Sequence, residues 1–412
     1  MSNKDNEVNR INRKIVLFGH FGENNLGDTI LLVNAVRLLQ NLDRPLCILS
    51  ADPNNTRNNL TKNNVSLENI NVIYSGRHGI SDPSVGGVTK FAWIIKHIKE
   101  IFNCGSILIG PGTILQDKTH KLFIFFWFSR ILIAKIAGKD FGLLGVGVGE
   151  VHHWASKQML KYIGKNAVFT ITRDRTSKEI LLMDFGFDTK RIYDLVDLSY
   201  LEINKLENNK YKDPEKKNNG LHVGINFRNL EDKHLSGNKN QMEKYTKTIV
   251  DFTKKLRAEL KMETISFFSM CSEGGQSDLP IYQMLNNEFS KTDLGNINLV
   301  DTAQDISSFE DELEKMDFFV GTRLHSIVLS TKLSIPTLAI AYSEKVEYYM
   351  DQLDCGYLSI PLEKIELSEM IDKLEYMIYN KKTIQKNLIS KTTKLKHKAY
   401  MYPIILRELM SD

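Results

Sequence analysis

The chain has 412 residues, too many for one ordinary hydrophobic core, so its length points to two domains or three. Hydrophobic residues make up 42% and charged residues 25%, the balance of a water-soluble globular protein and not of a disordered or membrane-embedded one. A formal net charge of +4, from 54 basic and 50 acidic side chains, gives no reason to expect a nucleic-acid partner but is compatible with a local basic site for a small anion.

Residues 1–13 are polar and Asn-rich, without the apolar stretch of a secretory signal, and read as a disordered tail. Together with four scattered cysteines, Cys47, Cys104, Cys271 and Cys355, none in a CxxC pair, this suggests reduced structural thiols in a cytoplasmic protein. The first strand is expected at 14–21, followed by a Gly-containing loop and a helix over 29–40. Further strands are expected at 46–51, 71–74, 106–109, 141–148 and 167–172, with helical patterns filling most of the gaps. The stretch 122–137, LFIFFWFSRILIAKIA, is short for a bilayer and is interrupted by Arg130 and Lys135. It reads as a buried helix, with docking of an aromatic-rich helix on a membrane surface as the alternative.

Residues 201–220 are polar and charged with one Pro and a terminal Gly, the composition of a linker. Beyond it the alternation restarts, with strands at 221–227, 264–270, 296–300, 318–320 and 336–341, a helix over 241–260 and a Lys-rich helical tail over 367–409. The expected organisation is an N-terminal α/β domain over 14–200, the linker 201–220, a C-terminal α/β domain over 221–375 and a helical tail over 376–412. Strands alternating with helices make parallel sheets, so the fold class is α/β: two doubly wound, Rossmann-like domains with an interdomain cleft. Ligands of such sheets bind beyond the carboxyl ends of the strands.

Four loops at expected strand ends carry candidate chemistry. Gly19-His20-Phe21-Gly22-Glu23-Asn24-Asn25-Leu26-Gly27-Asp28 suits close backbone approach to an anion at a helix N-terminus, and equally a plain turn capped by Asp28. It is not a GxGxxG fingerprint, so dinucleotide binding gains no support. Gly110-Pro111-Gly112-Thr113-Ile114-Leu115-Gln116-Asp117 again places glycines after an expected strand and before an expected helix, where a simple turn is the plainer alternative. In Thr172-Arg173-Asp174-Arg175-Thr176-Ser177 an arginine ends a strand, where its planar fork suits carboxylate or phosphate; helix capping by Asp174 or Ser177 is the plainer reading. In Gly321-Thr322-Arg323-Leu324-His325-Ser326, followed by Tyr342-Ser343-Glu344-Lys345, two adjacent strand ends bring Arg323, His325 and Lys345 to one wall.

Together these loops resemble the polysaccharide pyruvyltransferase family. The carriers are Asn25-Leu26-Gly27-Asp28, the Leu115-Gln116-Asp117 end of a Gly-rich segment, Arg173-Asp174-Arg175-Thr176-Ser177, Arg323-Leu324-His325, Pro336 and Tyr342-Ser343-Glu344-Lys345-Val346. Two departures stand out: Gly110-Pro111-Gly112 replaces the family's triple glycine, and Ser343-Glu344 replaces its Asp-Pro. The resemblance, over roughly residues 14 to 355, implies a GT-B-like fold and transfer of a pyruvyl group from phosphoenolpyruvate to a saccharide of a cell-surface polysaccharide or its precursor, as a ketal. That chemistry makes His325 the expected general acid, with Arg323 and Lys345 beside it in catalysis, and Arg173, Arg323 and Lys345 holding the donor's phosphate and carboxylate. Asn25, Gly27, Asp28, Gly112, Asp117, Arg228 and Tyr342 complete the substrate-binding set, with Asp28 or Asp117 orienting or deprotonating an acceptor hydroxyl. No cofactor and no metal is expected; His152 and His153, if in a strand, would point apart.

The expected partners are phosphoenolpyruvate and a saccharide acceptor, which a lipid-linked form would bring to the inner face of the membrane. Oligomeric state is left open. Two other readings share these residues: a GT-B nucleotide-sugar glycosyltransferase, with Glu344 or Glu347 on the nucleotide, and a non-catalytic partner in polysaccharide assembly.

Overall fold

The computed structural model describes residues 14–76, 87–118, 123–201, 220–230, 239–274 and 277–410. The expected tail over 1–13 and all but the end residues of the expected linker over 201–220 lie outside the described residues. The chain divides into two compact units, one of residues up to Glu23 with Asp28–Asn204 and His397–Asp412, the other of Asn24–Gly27 and Lys205–Lys396.

The first unit is built on a parallel sheet of eight strands: β1 (Ile15–Phe18), β2 (Leu46–Ser50), β3 (Ile70–Tyr74), β4 (Ser106–Ile109), β5 (Gly112–Leu115), β6 (Asp140–Val148), β7 (Phe169–Thr172) and β8 (Ile192–Asp194). Their order is β3-β2-β1-β4-β6-β7-β8, with β5 paired to the far end of β6. β1 and β2 are buried at every position, the continuous apolar pattern of strands covered on both faces. The intervening helices are α1 (Leu26–Gln40), α2 (Pro53–Lys62), α3 (Gly87–Phe102), α4 (Phe123–Ile136), α5 (Trp154–Asn166) and α6 (Arg175–Phe185). Ile101, Ile124, Trp127, Ile131, Leu160, Ile163 and Leu181 from α3 to α6 join one core with strand residues such as Val16, Ile107 and Phe141. Phe123–Ile136 thus forms a helix with one buried side and one outward side. All four cysteines are buried, and none of them forms a disulfide.

The second unit repeats the plan with six parallel strands: β9 (Leu221–Asn226), β10 (Met262–Phe268), β11 (Asn298–Val300), β12 (Phe318–Gly321), β13 (Thr337–Ala341) and β14 (Ser359–Pro361), in the order β11-β10-β9-β12-β13-β14. The helices are α7 (Lys239–Ala258), α8 (Leu279–Phe289), α9 (Ile306–Leu313), α10 (Leu324–Lys332), α11 (Glu344–Gln352), α12 (Leu367–Tyr379), α13 (Lys381–Ala399) and α14 (Met401–Met410). In both sheets the strand order reverses beside the first strand, between β1 and β4 and between β9 and β12. Such switch points open a crevice at the strand ends.

Three elements differ from the sequence reading. Gly112–Leu115 is a strand and not a turn leading into a helix, because β6 is long enough to pair with both β4 and β5. His152 and His153 lie in the loop before α5, with His153 at its N-cap position, and not in a strand. The residues expected as one tail over 376–412 divide instead: those up to Lys396 cluster with the second unit, and His397–Asp412 with the first. There the buried Tyr402 hydroxyl donates to the Val196 carbonyl at 2.7 Å, and Lys398 Nζ reaches Asp194 Oδ2 at 2.8 Å. The buried Tyr402 ring holds α14, and the Lys398 ion pair the end of α13, to that unit.

Candidate functional site

In the second unit the chemistry-bearing residues follow the carboxyl ends of three adjacent strands, β9, β12 and β13. The buried Asn226 ends β9 and fastens the ends together. Its side-chain amide donates to the Phe268 carbonyl at 2.8 Å, and its oxygen accepts from the Ser326 hydroxyl at 3.0 Å and the Arg323 backbone N–H at 3.2 Å. The Thr322 hydroxyl donates to the Asn226 carbonyl at 3.1 Å and accepts from the Arg228 N–H at 2.8 Å. The Tyr245 hydroxyl donates to the Arg228 carbonyl at 3.1 Å. A satisfied buried network of this kind fixes the loops that follow β9 and β12.

Arg323 is 6% exposed, and much of its guanidinium is turned toward the fully buried Asp278. Nε lies 2.8 and 3.0 Å from the two carboxylate oxygens, and Nη2 lies 2.7 Å from Oδ1. Asp278 Oδ2 also accepts the Met270 and Cys271 N–H groups at 3.0 and 3.2 Å, tying the turn after β10 into the same cluster. Burial works against the Arg323 charge, yet the paired carboxylate holds the guanidinium pKa above its ordinary value. Arg323 therefore acts within the fold as a clamp between β10 and β12.

Arg228 and Lys345 flank the Tyr342 ring, with Arg228 Cζ 5.1 Å and Lys345 Nζ 5.3 Å from its centroid. Burial opposes ionisation of the Tyr342 phenol, but Lys345, Arg228 and the more distant Arg323 outweigh it and bring its pKa down to about 7. A phenol beside two cations, Arg228 and Lys345, marks a locus of positive potential suited to an oxyanion. His325 stands in the first turn of α10, half-buried, two residues on from Arg323.

The turn Asn24–Gly27 clusters with this unit. The Leu26 N–H donates to the Met270 carbonyl at 2.8 Å, and Asn25 pairs with Cys271 as an isolated antiparallel bridge. Asn25 Oδ1 accepts the Gly27 N–H at 3.0 Å at the start of α1. A Cβ on Gly27 would meet His325 Nδ1 at 2.3 Å and Cγ at 2.8 Å, so only glycine fits beside the imidazole.

The remaining candidates lie in the first unit. Arg173 follows β7 and is 7% exposed, with Nε 3.3 Å from Asp174 Oδ2 and Nη1 3.6 Å from Asp197 Oδ2. Gly147 admits it, since a Cβ there would meet Arg173 Nε at 2.6 Å. Asp174 caps α6 by accepting the Ser177 N–H at 2.6 Å. Asp117 is buried, and its two oxygens accept the His152 and His153 N–H groups at 2.8 and 2.9 Å. Burial alone would raise its pKa, but these bonds, with the Ser156 hydroxyl, hold it below the usual carboxylate value. Its evident task is to shape the N-terminus of α5. Gly112 takes φ +110, a backbone that a side chain strains. Asp28 sits in the first turn of α1, with Oδ2 3.7 Å from His20 Nδ1.

The structure thus gathers Arg228, Arg323, His325, Tyr342 and Lys345 in one unit with Asn25 and Gly27, and places Arg173, Asp28, Gly112 and Asp117 in the other. Sequence reasoning missed Asp278 and Asn226. Ser277-Asp278-Leu279-Pro280 carries a helix-start signature, but nothing in it announces an arginine partner. Among the described residues, no three His, Cys, Asp or Glu side chains converge as metal ligands would.

Among solved structures, the fold is similar to that of a UDP-GlcNAc 2-epimerase from Neisseria meningitidis bound to UDP-GlcNAc, with 12% identity, TM-score 0.59 and coverage of 97% of this chain and 100% of that one. It is also similar to a glycosyltransferase from Rickettsia africae, with 12% identity, TM-score 0.58 and coverage of 97% and 99%. A putative UDP-N-acetylglucosamine 2-epimerase from Listeria monocytogenes gives 10% identity, TM-score 0.61 and coverage of 96% and 95%. At such identities the likeness establishes a two-domain GT-B architecture and nothing about substrate. No curated protein sequence matches the chain. A family model described as polysaccharide pyruvyl transferase matches residues 25–344, from the Asn25 turn to the start of α11, and the chain belongs to that family.

Proposed function

We propose that the protein is a transferase that moves the pyruvyl group of phosphoenolpyruvate onto two hydroxyls of a saccharide belonging to a cell-surface polysaccharide or its precursor. The observation that carries this reading is the cationic cluster of Arg228, Arg323 and Lys345 around Tyr342, next to His325, at the strand ends of the second unit. The donor presents a phosphate and a carboxylate, and clustered guanidinium and ammonium groups complement both. Lys345 and Arg228 bind the anion, Arg323 with Asp278 fixes the frame, and His325 donates the proton. Arg173 enters this proposal through the family pattern. The reaction fits a cytoplasmic site, where phosphoenolpyruvate is made, and its bond changes call for no cofactor.

In the proposed reaction the donor methylene carbon C3 takes a proton and C2 becomes electron-poor. One saccharide hydroxyl forms a C2–O bond, the C2–O bond to phosphate breaks, and the second hydroxyl closes the ketal. Of the two hydroxyl protons released, one balances the proton delivered to C3 and the other leaves with phosphate. Histidine is the side chain whose ordinary pKa suits proton delivery near neutrality. Turnover in deuterated water is expected to place one deuterium on the ketal methyl, with His325→Ala losing at least 100-fold in rate. Product with no solvent deuterium, or unchanged turnover by His325→Ala, would remove His325 from this role.

The two-domain GT-B architecture is equally consistent with a second reading, a nucleotide-sugar glycosyltransferase. Its sign would be binding of a nucleotide sugar in preference to phosphoenolpyruvate. A third, a non-catalytic partner in polysaccharide assembly, would bind neither donor.

A further inference from the structure

Helices α3, α4 and α5 lie side by side, α3 against α4 and α4 against α5, over the core of the first unit. Their inward residues are buried. Their outward ones include Ile95, 49% exposed, Phe125 at 50%, Ile136 at 80% and Trp154 at 76%. On α4 the exposed Phe125, Leu132 and Ile136 follow one another at helical spacing, so they form a stripe on the side away from Trp127 and Ile131. A soluble surface tolerates scattered apolar residues; a run of this density on adjacent helices is an interaction surface.

The charges of the same helices are one-sided. Lys96, Lys99, Lys135, Lys157, Lys161 and Lys165 are exposed on them, whereas their one acid among the described side chains, Glu100, is bonded to Lys14 at 2.9 Å. Arg130 is not part of this surface, since it turns inward to the Phe126 and Ser75 carbonyls. The whole chain has a formal charge of only +4, so this layer concentrates the excess. Protein interface cores are depleted in lysine, and a two-fold contact through this face would set lysines against lysines. A bilayer surface with anionic headgroups satisfies both properties at once, taking apolar side chains at the acyl boundary and lysines at the phosphates. Among the described residues no helix is long and apolar enough to cross a membrane, so the face would lie on the bilayer.

We propose that the outward face of α3, α4 and α5 docks this protein on an anionic membrane surface. The inference does not rest on pyruvyl transfer, and its test needs no donor or acceptor. The full chain is sedimented with vesicles of phosphatidylcholine alone and of phosphatidylcholine with phosphatidylglycerol. Binding to the anionic vesicles only is expected, weakening as salt rises. The Phe125→Ser/Ile136→Ser variant is expected to bind at least tenfold more weakly, and the Lys135→Gln variant about fivefold. Tyr379→Ser, at a 90% exposed site on the second unit, serves as the control and is expected to bind as wild type. Unchanged melting temperatures show that the variants are folded. Absence of wild-type binding to anionic vesicles, or equal binding by the double variant, overturns the proposal. So does a wild-type dimer that the double variant splits, which would make the face a contact between copies.

Discussion

Gly27 and His325 touch so closely that no side chain fits between them: a Cβ on Gly27 would stand 2.3 Å from Nδ1 of the imidazole and 3.0 Å from its own Cβ. The clash is with the root of the ring and not with the end of a flexible chain, so the histidine cannot swing aside without leaving its place. Gly27→Ala is therefore expected to lower turnover at least tenfold while costing about 1–3 kcal/mol of stability, the usual range for overpacking. Steady-state kinetics beside a denaturant melt checks both. A variant with wild-type turnover would show that the position of His325 does not matter.

Asp278 neutralises Arg323 in a buried cluster that also holds the turn after β10. Asp278→Ala leaves a buried guanidinium without its carboxylate and is expected to cost about 3–5 kcal/mol. Arg323→Lys keeps the charge but loses the two-pronged contact, and it is expected to fall between wild type and Asp278→Ala. Urea unfolding of the three proteins gives the order directly.

The phenol of Tyr342 ionises near pH 7 in the folded chain because Lys345, Arg228 and Arg323 outweigh its burial. Its ordinary pKa is about 10, so between these values the unfolded chain binds the proton and the folded chain does not. This group's contribution to stability therefore rises with pH from about 7 to 10 and is lost as pH falls through 7. Tyrosinate absorbance is expected to appear around neutrality in the wild type and to be absent there in Tyr342→Phe, whose stability also rises less over that window.

Asp117 binds two backbone N–H groups at the entrance to α5. Its lowered pKa means that its contribution is fully present above the usual carboxylate range and is lost as pH falls through the folded value. Asp117→Ala is expected to cost about 1–2 kcal/mol at neutral pH, in the manner of a lost cap. A melt series into acid should show the difference from wild type shrinking as the carboxylate protonates.

Much of the architecture was legible because parallel strands buried on both faces announce themselves as short apolar runs. The strand ending before Arg173 and the one ending at Gly321 are examples. Loops after those strands then pointed to Arg173, Arg323 and His325. What stayed hidden depends on contacts distant in sequence. Asp278 is 45 residues from Arg323, and nothing local pairs them. Gly112–Leu115 is too short to betray a strand, which exists because β6 runs past β4. The membership of Asn24–Gly27 in the second unit, and the return of His397–Asp412 to the first, are likewise properties of packing and not of pattern.

Whether the cationic cluster of the second unit serves phosphoenolpyruvate is decided by thermal-shift titration with phosphoenolpyruvate beside a panel of UDP-sugars. A ligand that binds only the folded chain raises its melting temperature with concentration. Phosphoenolpyruvate is expected to stabilise the wild type, and Lys345→Ala and Arg228→Ala are expected to abolish the effect. Stabilisation by a UDP-sugar with none by phosphoenolpyruvate would contradict the account.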